Sequence, residues 1–260
     1  MKVIVCIKQV PDTTEVKIDP KTGTIIRQGI PSIMNPDDKG GLELALRLKD
    51  EFGAHVTVIT MGPPQADAIL REAYAMGADH AILLTDRAFA GADTLATSHA
   101  LAGALSTLEF DLIIAGRQAI DGDTAQVGPQ IAEHMQLPQI SYVADVEYDG
   151  KSDFKVTKET EDGHQILSVP SPCLFTVLAS AVEPRYMNVG GIVDCFDREV
   201  QIMTVKDIDV KIEQLGLKGS PTKVKKSFSK GLKSAGETFE VDEQQAVDLI
   251  VSKLKEKFLI

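Results

Sequence analysis

Short apolar runs alternate with amphipathic stretches through the first half of the chain. Residues 3–7, 56–59, 81–84 and 112–115 are aliphatic runs of strand length. Between them, apolar residues recur at helical spacing. Leu42, Ala45 and Leu46 follow Asn35-Pro36-Asp37-Asp38, and Ile69, Leu70, Ala73 and Tyr74 follow Met61-Gly62-Pro63-Pro64. Residues 93–108 are rich in Ala and Leu, and Ile131, Ala132 and Met135 form a further stripe. The Asn-Pro-Asp-Asp stretch is a helix-start signal: a capping Asn, Pro at the first position and acids in the first turn. Strands this apolar must be covered on both faces. The expected fold is therefore α/β: a doubly wound, mainly parallel, Rossmann-like sheet. Ligands of such sheets sit beyond the carboxyl ends of the strands, where strand order switches. The turns at residues 6–8, 61–64, 85–94 and 116–128 are expected to converge there.

The texture changes after about Pro138. Residues 140–148, 154–159 and 165–169 alternate in polarity around the turn dipeptides Asp149-Gly150 and Asp162-Gly163, which predicts antiparallel additions with one wet face. Residues 173–178 read as a more buried strand. A small hairpin is expected where residues 16–18 and 24–26 flank Asp19-Pro20-Lys21-Thr22-Gly23. Beyond Glu183 the signal for a compact core weakens. Residues 214–236 carry six lysines and no acid, and read as an extended arm. It ends in a helix capped by Asp242, with Ala246, Ile250, Leu254 and Phe258 in one stripe. The expected organisation is an α/β domain over residues 1–183, followed by a loop and arm over residues 184–260. A helix at the end of such an arm either packs back on its own domain or buries its stripe on a partner subunit.

A net charge of −11 argues against a general nucleic-acid binder. No apolar run approaches the roughly 20 residues that span a bilayer. The opening residues read as a strand without a cleavage site, so a cytoplasmic protein is expected. Cys6, Cys173 and Cys195 and the five histidines are scattered, without metal-ligand spacing, and no metal site is expected. With no nucleophile motif visible, a cofactor would carry any chemistry.

The densest chemical signal is the stretch from Gly116 to Gly128, set between a buried strand and a helix start. The amides and positive end of such a helix hold phosphate, so a nucleotide site is expected here. Gly116 and Gly122 would admit close backbone approach. Thr124, Ala125 and Gln126 would supply first-turn amides. Arg117 would offset pyrophosphate charge or make a surface ion pair. Asp121 would hold a ribose hydroxyl or sit in a solvated turn, and Asp123 is expected to cap. In the other turns, Gly91 allows close approach, and Asp93 or Thr94 would cap the helix that follows. Cys6 and Met61 read as packing residues rather than redox groups.

Taken in order, several of these pieces resemble the small (beta) subunit of electron-transfer flavoproteins. They are Val5-Cys6-Ile7-Lys8-Gln9-Val10-Pro11, Met34-Asn35-Pro36-Asp37-Asp38, Leu42-Glu43-Leu44-Ala45-Leu46-Arg47-Leu48-Lys49 and Met61-Gly62-Pro63-Pro64-Gln65-Ala66. Ala75-Met76-Gly77-Ala78-Asp79, Gly116-Arg117-Gln118-Ala119-Ile120-Asp121 and Glu183-Pro184-Arg185-Tyr186 complete the set. The resemblance covers nearly the whole chain. It implies a heterodimer with an alpha subunit that carries a mobile flavin domain, shares a second nucleotide site and receives the arm. It places the nucleotide against Cys6, Asn35, Asp38, Met61 and the residues from Gly116 through Gln118 to Val127. It also implies a recognition loop at Arg185, Tyr186 and Val189 that docks on an acyl-CoA dehydrogenase or reductase.

Two branches of that family differ in the shared nucleotide, AMP in one and a second FAD in the other. The residues 85–94, Asp121-Gly122-Asp123-Thr124-Ala125 and Val189-Gly190-Gly191-Ile192 resemble the electron-bifurcating branch. There, NADH would reduce the shared FAD, and electrons would go to ferredoxin or flavodoxin and, through the alpha-subunit FAD, to the acyl-CoA enzyme. The alternatives are a housekeeping beta subunit with structural AMP and a stand-alone nucleotide-binding protein.

Overall fold

The computed structural model describes residues 1–12, 31–222 and 236–260. The hairpin expected around Asp19–Gly23 and most of the lysine-rich stretch lie outside the described residues. Met1–Lys225 forms one compact unit and Lys226–Ile260 a second.

The first unit is built on a sheet whose strands follow the apolar runs. They are β1 (Lys2–Cys6), β4 (His55–Met61), β5 (His80–Leu84), β6 (Leu112–Gly116) and β10 (Cys173–Val177). Two short strands, β2 (Gln9–Pro11) and β3 (Ser32–Met34), pair with each other beside the sheet. The extension comprises β7 (Gln139–Tyr148), β8 (Asp153–Thr160) and β9 (Gly163–Pro170), and β11 (Gln201–Met203) closes the opposite edge. Among the described residues the sheet has nine strands in the order β11-β5-β4-β1-β6-β10-β7-β8-β9. Pairing is parallel from β11 through β7 and antiparallel from β7 to β9.

The fold is thus α/β and mainly parallel. Helices α1 (Pro36–Phe52) and α2 (Asp67–Met76) pack Leu42, Leu46, Ile69 and Leu70 against Val3, Val5, Val56 and Val58 on one face. Helices α3 (Thr94–Leu105) and α4 (Val127–Met135) pack Leu101, Leu105, Ile131 and Ala132 against Ile4, Ile59 and Ile113 on the other. Alternate strand residues serve opposite faces, which is why the strands read as continuous apolar runs.

Two features differ from the sequence reading. Strand β7 is parallel to β10 on one side and antiparallel to β8 on the other, with register shifts on both sides. Its mixed polarity comes from standing between a buried sheet and a half-wet ribbon, not from a purely antiparallel setting. Residues 184–222, where the core signal fades, still pack on this unit: Cys195, Met203, Ile208 and Leu215 are buried. They belong to α5 (Val189–Asp194), β11, α6 (Gly216–Gly219) and the links between them. Their isolated apolar residues meet distant partners, so no local period announces them. In the second unit, α7 (Glu243–Glu256) is capped by Asp242, which accepts a bond from the Gln245 amide at 2.8 Å, as expected. Ile250 and Phe258 of the expected stripe are exposed. No helix among the described residues is long and apolar enough to cross a membrane.

Phe154 of β8 and Phe175 of β10 are fully buried and meet edge to face, with centroids 5.6 Å apart, on the face covered by α1. This contact fastens the antiparallel ribbon to the parallel sheet. Phe154→Ala is expected to cost about 3–5 kcal/mol, measured by urea denaturation of the full chain. Val189→Ala, on an exposed side chain, should stay within about 0.5 kcal/mol.

Candidate functional site

Strand order reverses direction about β1, with β4 and β5 on one side and β6 and β10 on the other. A cleft of about 890 Å3 opens at the carboxyl ends of these strands. All four turns expected to converge line it: residues 6–8 after β1, 61–64 after β4, 85–94 after β5 and 116–128 after β6.

The cleft's shape depends on a polar cluster at the start of α1. Asp38 is buried, and its carboxylate accepts bonds from the Lys8 amide at 2.8 Å and the Gly116 amide at 3.0 Å. Asp37 accepts from the Ala179 amide at 2.9 Å and the Gln118 amide at 3.3 Å. Asn35 donates to the Gln118 carbonyl at 2.8 Å and accepts from the Ile120 amide at 3.1 Å. Two adjacent acids and one amide thus grip the chain as it leaves β1, β6 and β10. The positive end of α1 favours both carboxylates. Asn35 stands at the cap position but its side chain makes no capping bond to the amides of its own helix, so its expected role as a cap is corrected. Asp38 lines the cleft, whereas Asn35 lies behind the 116–128 loop.

Gly116 is required by this cluster, since a Cβ there would overlap Asp38 Oδ1. A Cβ at Gly122 would meet nothing within 4 Å. The loop then climbs through Asp123 and Ala125, both left-handed at φ 49° and 52°. Such strain in non-glycine residues collects at functional loops. Helix α4 begins only at Val127, so Thr124, Ala125 and Gln126 line the cleft ahead of the first turn rather than within it. Gln126 makes no side-chain cap bond. The Val127 and Gly128 amides at the cleft therefore have no intrahelical acceptor. Asp123 does not cap α4 either; it accepts from Gln118 Nε2 at 2.9 Å. Asp121 pairs with Lys8 Nζ at 2.5 Å and is mostly buried, which corrects the solvated-turn alternative. Arg117 lies 3.3 Å from Asp37 and lines the cleft. Asn35, Asp121 and Asp123 thus support the loop from outside the lining.

The starts of α3 and α4 at the cleft are unlike. At α3, Asp93 Oδ1 accepts from the Ala96 amide at 3.1 Å, so the cap position already holds a carboxylate. Thr94 Oγ1 reaches across to Gln126 Oε1 at 2.8 Å and ties the 85–94 loop to the 116–128 loop. Lys8 and Arg87 join Arg117 as cations of the lining, and neither stood out in the sequence. Cys6 and Met61 sit among apolar floor residues such as Ile59 and Ala115. Burial, with Asp38 adding to it, pushes the Cys6 thiol up to about 12, so it remains protonated and inert. Among the described residues no cluster suited to a metal ion is found.

The expected recognition loop divides into an anchor and an exposed tip. Arg185 is bound by buried Glu43 through Nε at 2.8 Å and Nη2 at 3.0 Å, and by Asp50 at 2.7 Å. Tyr186 is 94% and Val189 79% exposed. Val189 opens α5, which Asn188 caps by accepting from the Gly191 amide at 2.6 Å.

Residues 22–210 match the electron transfer flavoprotein domain. The chain belongs to the electron transfer flavoprotein family. It is 58% identical over 260 residues to the electron transfer flavoprotein subunit beta of Clostridium acetobutylicum, covering all of both chains. It is 52% identical over 263 residues to subunit CarD of the caffeyl-CoA reductase-Etf complex of Acetobacterium woodii. It is 43% identical over 269 residues to the acryloyl-CoA reductase electron transfer subunit gamma of Anaerotignum propionicum. Both of these alignments also span all of each chain. Within the electron transfer flavoprotein family the resemblance is to beta subunits, and it rests on the chain's full length.

The grip on the strand ends carries a pH signature. Burial pushes Asp38 up to about 7, against the bonds from Asn35 and the Lys8 and Gly116 amides. A carboxyl raised on folding contributes stability that is fully present below about pH 4 and lost as pH rises through about 7. The span is on the order of 4 kcal/mol. Urea midpoints of the wild type should fall across this window, and those of Asp38→Asn should fall less steeply. Parallel curves would remove Asp38 from the account.

Proposed function

We propose that this chain is the beta subunit of an electron-bifurcating electron-transfer flavoprotein and that its cleft holds FAD at a site completed by an alpha subunit. The observation that carries the reading is the composition of the cleft. It combines an apolar floor, three cations and an uncapped helix start at the carboxyl rim of a parallel sheet. The volume lies in the upper part of the range for small-molecule sites, about 300–1,000 Å3, which suits a dinucleotide.

In this reading the Val127 and Gly128 amides, with Lys8, Arg87 and Arg117, hold the pyrophosphate. Cys6, Ile59 and Met61 offer an apolar surface to a ring. FAD, when bound, supplies two-electron exchange with NADH and one-electron exchange with ferredoxin or flavodoxin and with the alpha-subunit flavin. The chain's own part is to bind, orient and exclude water; no side chain in the cleft is assigned a covalent role. The names of the caffeyl-CoA and acryloyl-CoA reductase relatives support an acyl-CoA reductase as the terminal partner. The exposed Tyr186 and Val189, held out by the fastened Arg185, suit a small transient contact with it.

The test is to purify the chain with its alpha subunit under anaerobic conditions, count flavins and add NADH. Two FAD per heterodimer, with loss of flavin absorbance on NADH addition, is the expected result. One FAD with AMP, unreactive to NADH, would overturn it in favour of a housekeeping subunit.

A further inference from the structure

The 85–94 loop forms one wall of the cleft and is held by a segment more than a hundred residues away in sequence. Residues 203–222 run behind it and bond to it at successive points. The Thr85 amide donates to the Met203 carbonyl at 2.8 Å, and the Val205 amide reaches Asp86 Oδ2 at 3.4 Å. The Leu217 amide donates to the Ala90 carbonyl at 3.0 Å. At the end of the loop, the Asp93 amide donates to Ser220 Oγ at 2.8 Å. Ser220 is buried, and its hydroxyl donates in turn to the Gly216 carbonyl at 2.7 Å. Thr222 closes the series, its amide and Oγ1 both donating to Asp93 Oδ2 at 3.1 and 2.6 Å.

The fit is close. Gly216 is left-handed at φ 54°, and a Cβ there would overlap the Ala88 carbonyl oxygen. Gly91, at φ 74°, lies against Leu217. All the hydrogen-bonding groups of Asp93 are thereby engaged within the chain: its amide by Ser220, one oxygen by Ala96 and the other by Thr222. Desolvation raises the Asp93 carboxyl, but the bonds from Thr222 and Ala96 outweigh it and hold the group below the usual carboxylate range.

We infer that Ser220 and Thr222 are positioning residues for the nucleotide cleft: through Asp93 they set the 85–94 wall and keep a carboxylate on the α3 start, which directs a phosphate to the α4 start instead. Nothing in the local sequence around Ser220-Pro221-Thr222 marks it as part of a ligand site. Its role follows from reaching Asp93 across 127 and 129 positions. The inference rests on the cleft being a nucleotide site, and the experiment separates the two.

The full chain in complex with its alpha subunit is compared as wild type, Ser220→Ala, Thr222→Val and Thr222→Ser. FAD affinity is read by calorimetry, and amide hydrogen exchange is read over residues 86–93. Removing one hydrogen bond to a charged acceptor is worth about tenfold. Thr222→Val should therefore weaken FAD binding by about that factor and speed exchange in the wall. Thr222→Ser, which keeps the hydroxyl, should stay within about twofold of wild type on the same reasoning. Ser220→Ala should speed exchange at the same amides. Asp93→Asn keeps a capping oxygen but can place an NH2 against the Thr222 amide. Combined with Thr222→Val, it should cost less than the two separate losses summed. Wild-type exchange and affinity in Thr222→Val would overturn the inference, as would a loss in Thr222→Ser equal to that in Thr222→Val. If the wild type binds no FAD, the nucleotide reading and the positioning role both fall, and unchanged exchange in the variants would show that the latch itself is absent.

Discussion

The structure turns on two adjacent buried carboxylates. Asp37 and Asp38 face the positive end of α1 and accept amides from the chain leaving β1, β6 and β10. A parallel sheet leaves the carboxyl ends of its strands to diverge into separate turns. Here one helix start draws three of them into a single wall, with Asn35 holding the loop from behind. The constraint is polar and buried, so it is costly to break: an amide or carboxylate left without its partner would carry its full desolvation penalty. Gly116 follows from it, because only glycine leaves room for the Asp38 oxygen.

The cleft is then differentiated by its two helix starts. Helices α3 and α4 both begin at its edge, from neighbouring positions on the same sheet face. One start is neutralised by Asp93, and the other has no side chain across its first amides. A phosphate is drawn to unsatisfied amides and repelled by a fixed carboxylate. The difference between the two starts therefore gives the cleft a direction. The cations Lys8, Arg87 and Arg117 line the same cavity, although the chain as a whole carries a net charge of −11.

The same economy governs the surface. Arg185 spends its guanidinium on Glu43 and Asp50 and lies inside the contact network, while Tyr186 and Val189 stand out from it. An apolar tip on a fastened base loses little conformational freedom on docking, which suits repeated brief contacts. Arg185 therefore serves the loop from within, while its neighbours Tyr186 and Val189 remain exposed.

Much of this is legible in the sequence. The apolar runs require a sheet covered on both faces, and the turns after those runs had to meet at one rim, because strand direction and connection handedness leave few other arrangements. The helix caps of α3 and α7 were readable for the same reason: a cap is a bond between residues three apart. What the sequence could not show were bonds between residues far apart. Asn35 looks like a cap and is a brace, bound to Gln118 and Ile120 across 83 and 85 positions. The β11 strand, α6 and the Ser220–Thr222 latch carry no period, since the bonds that tie them to β5 and to the 85–94 loop reach more than a hundred positions away. Sequence alone determined which elements form and on which side of the sheet a ligand can lie, because those follow from local periodicity and chain direction. Only the tertiary structure decided which acids are braces and which helix start stays open, because a carboxylate's role depends on the amides that folding brings to it.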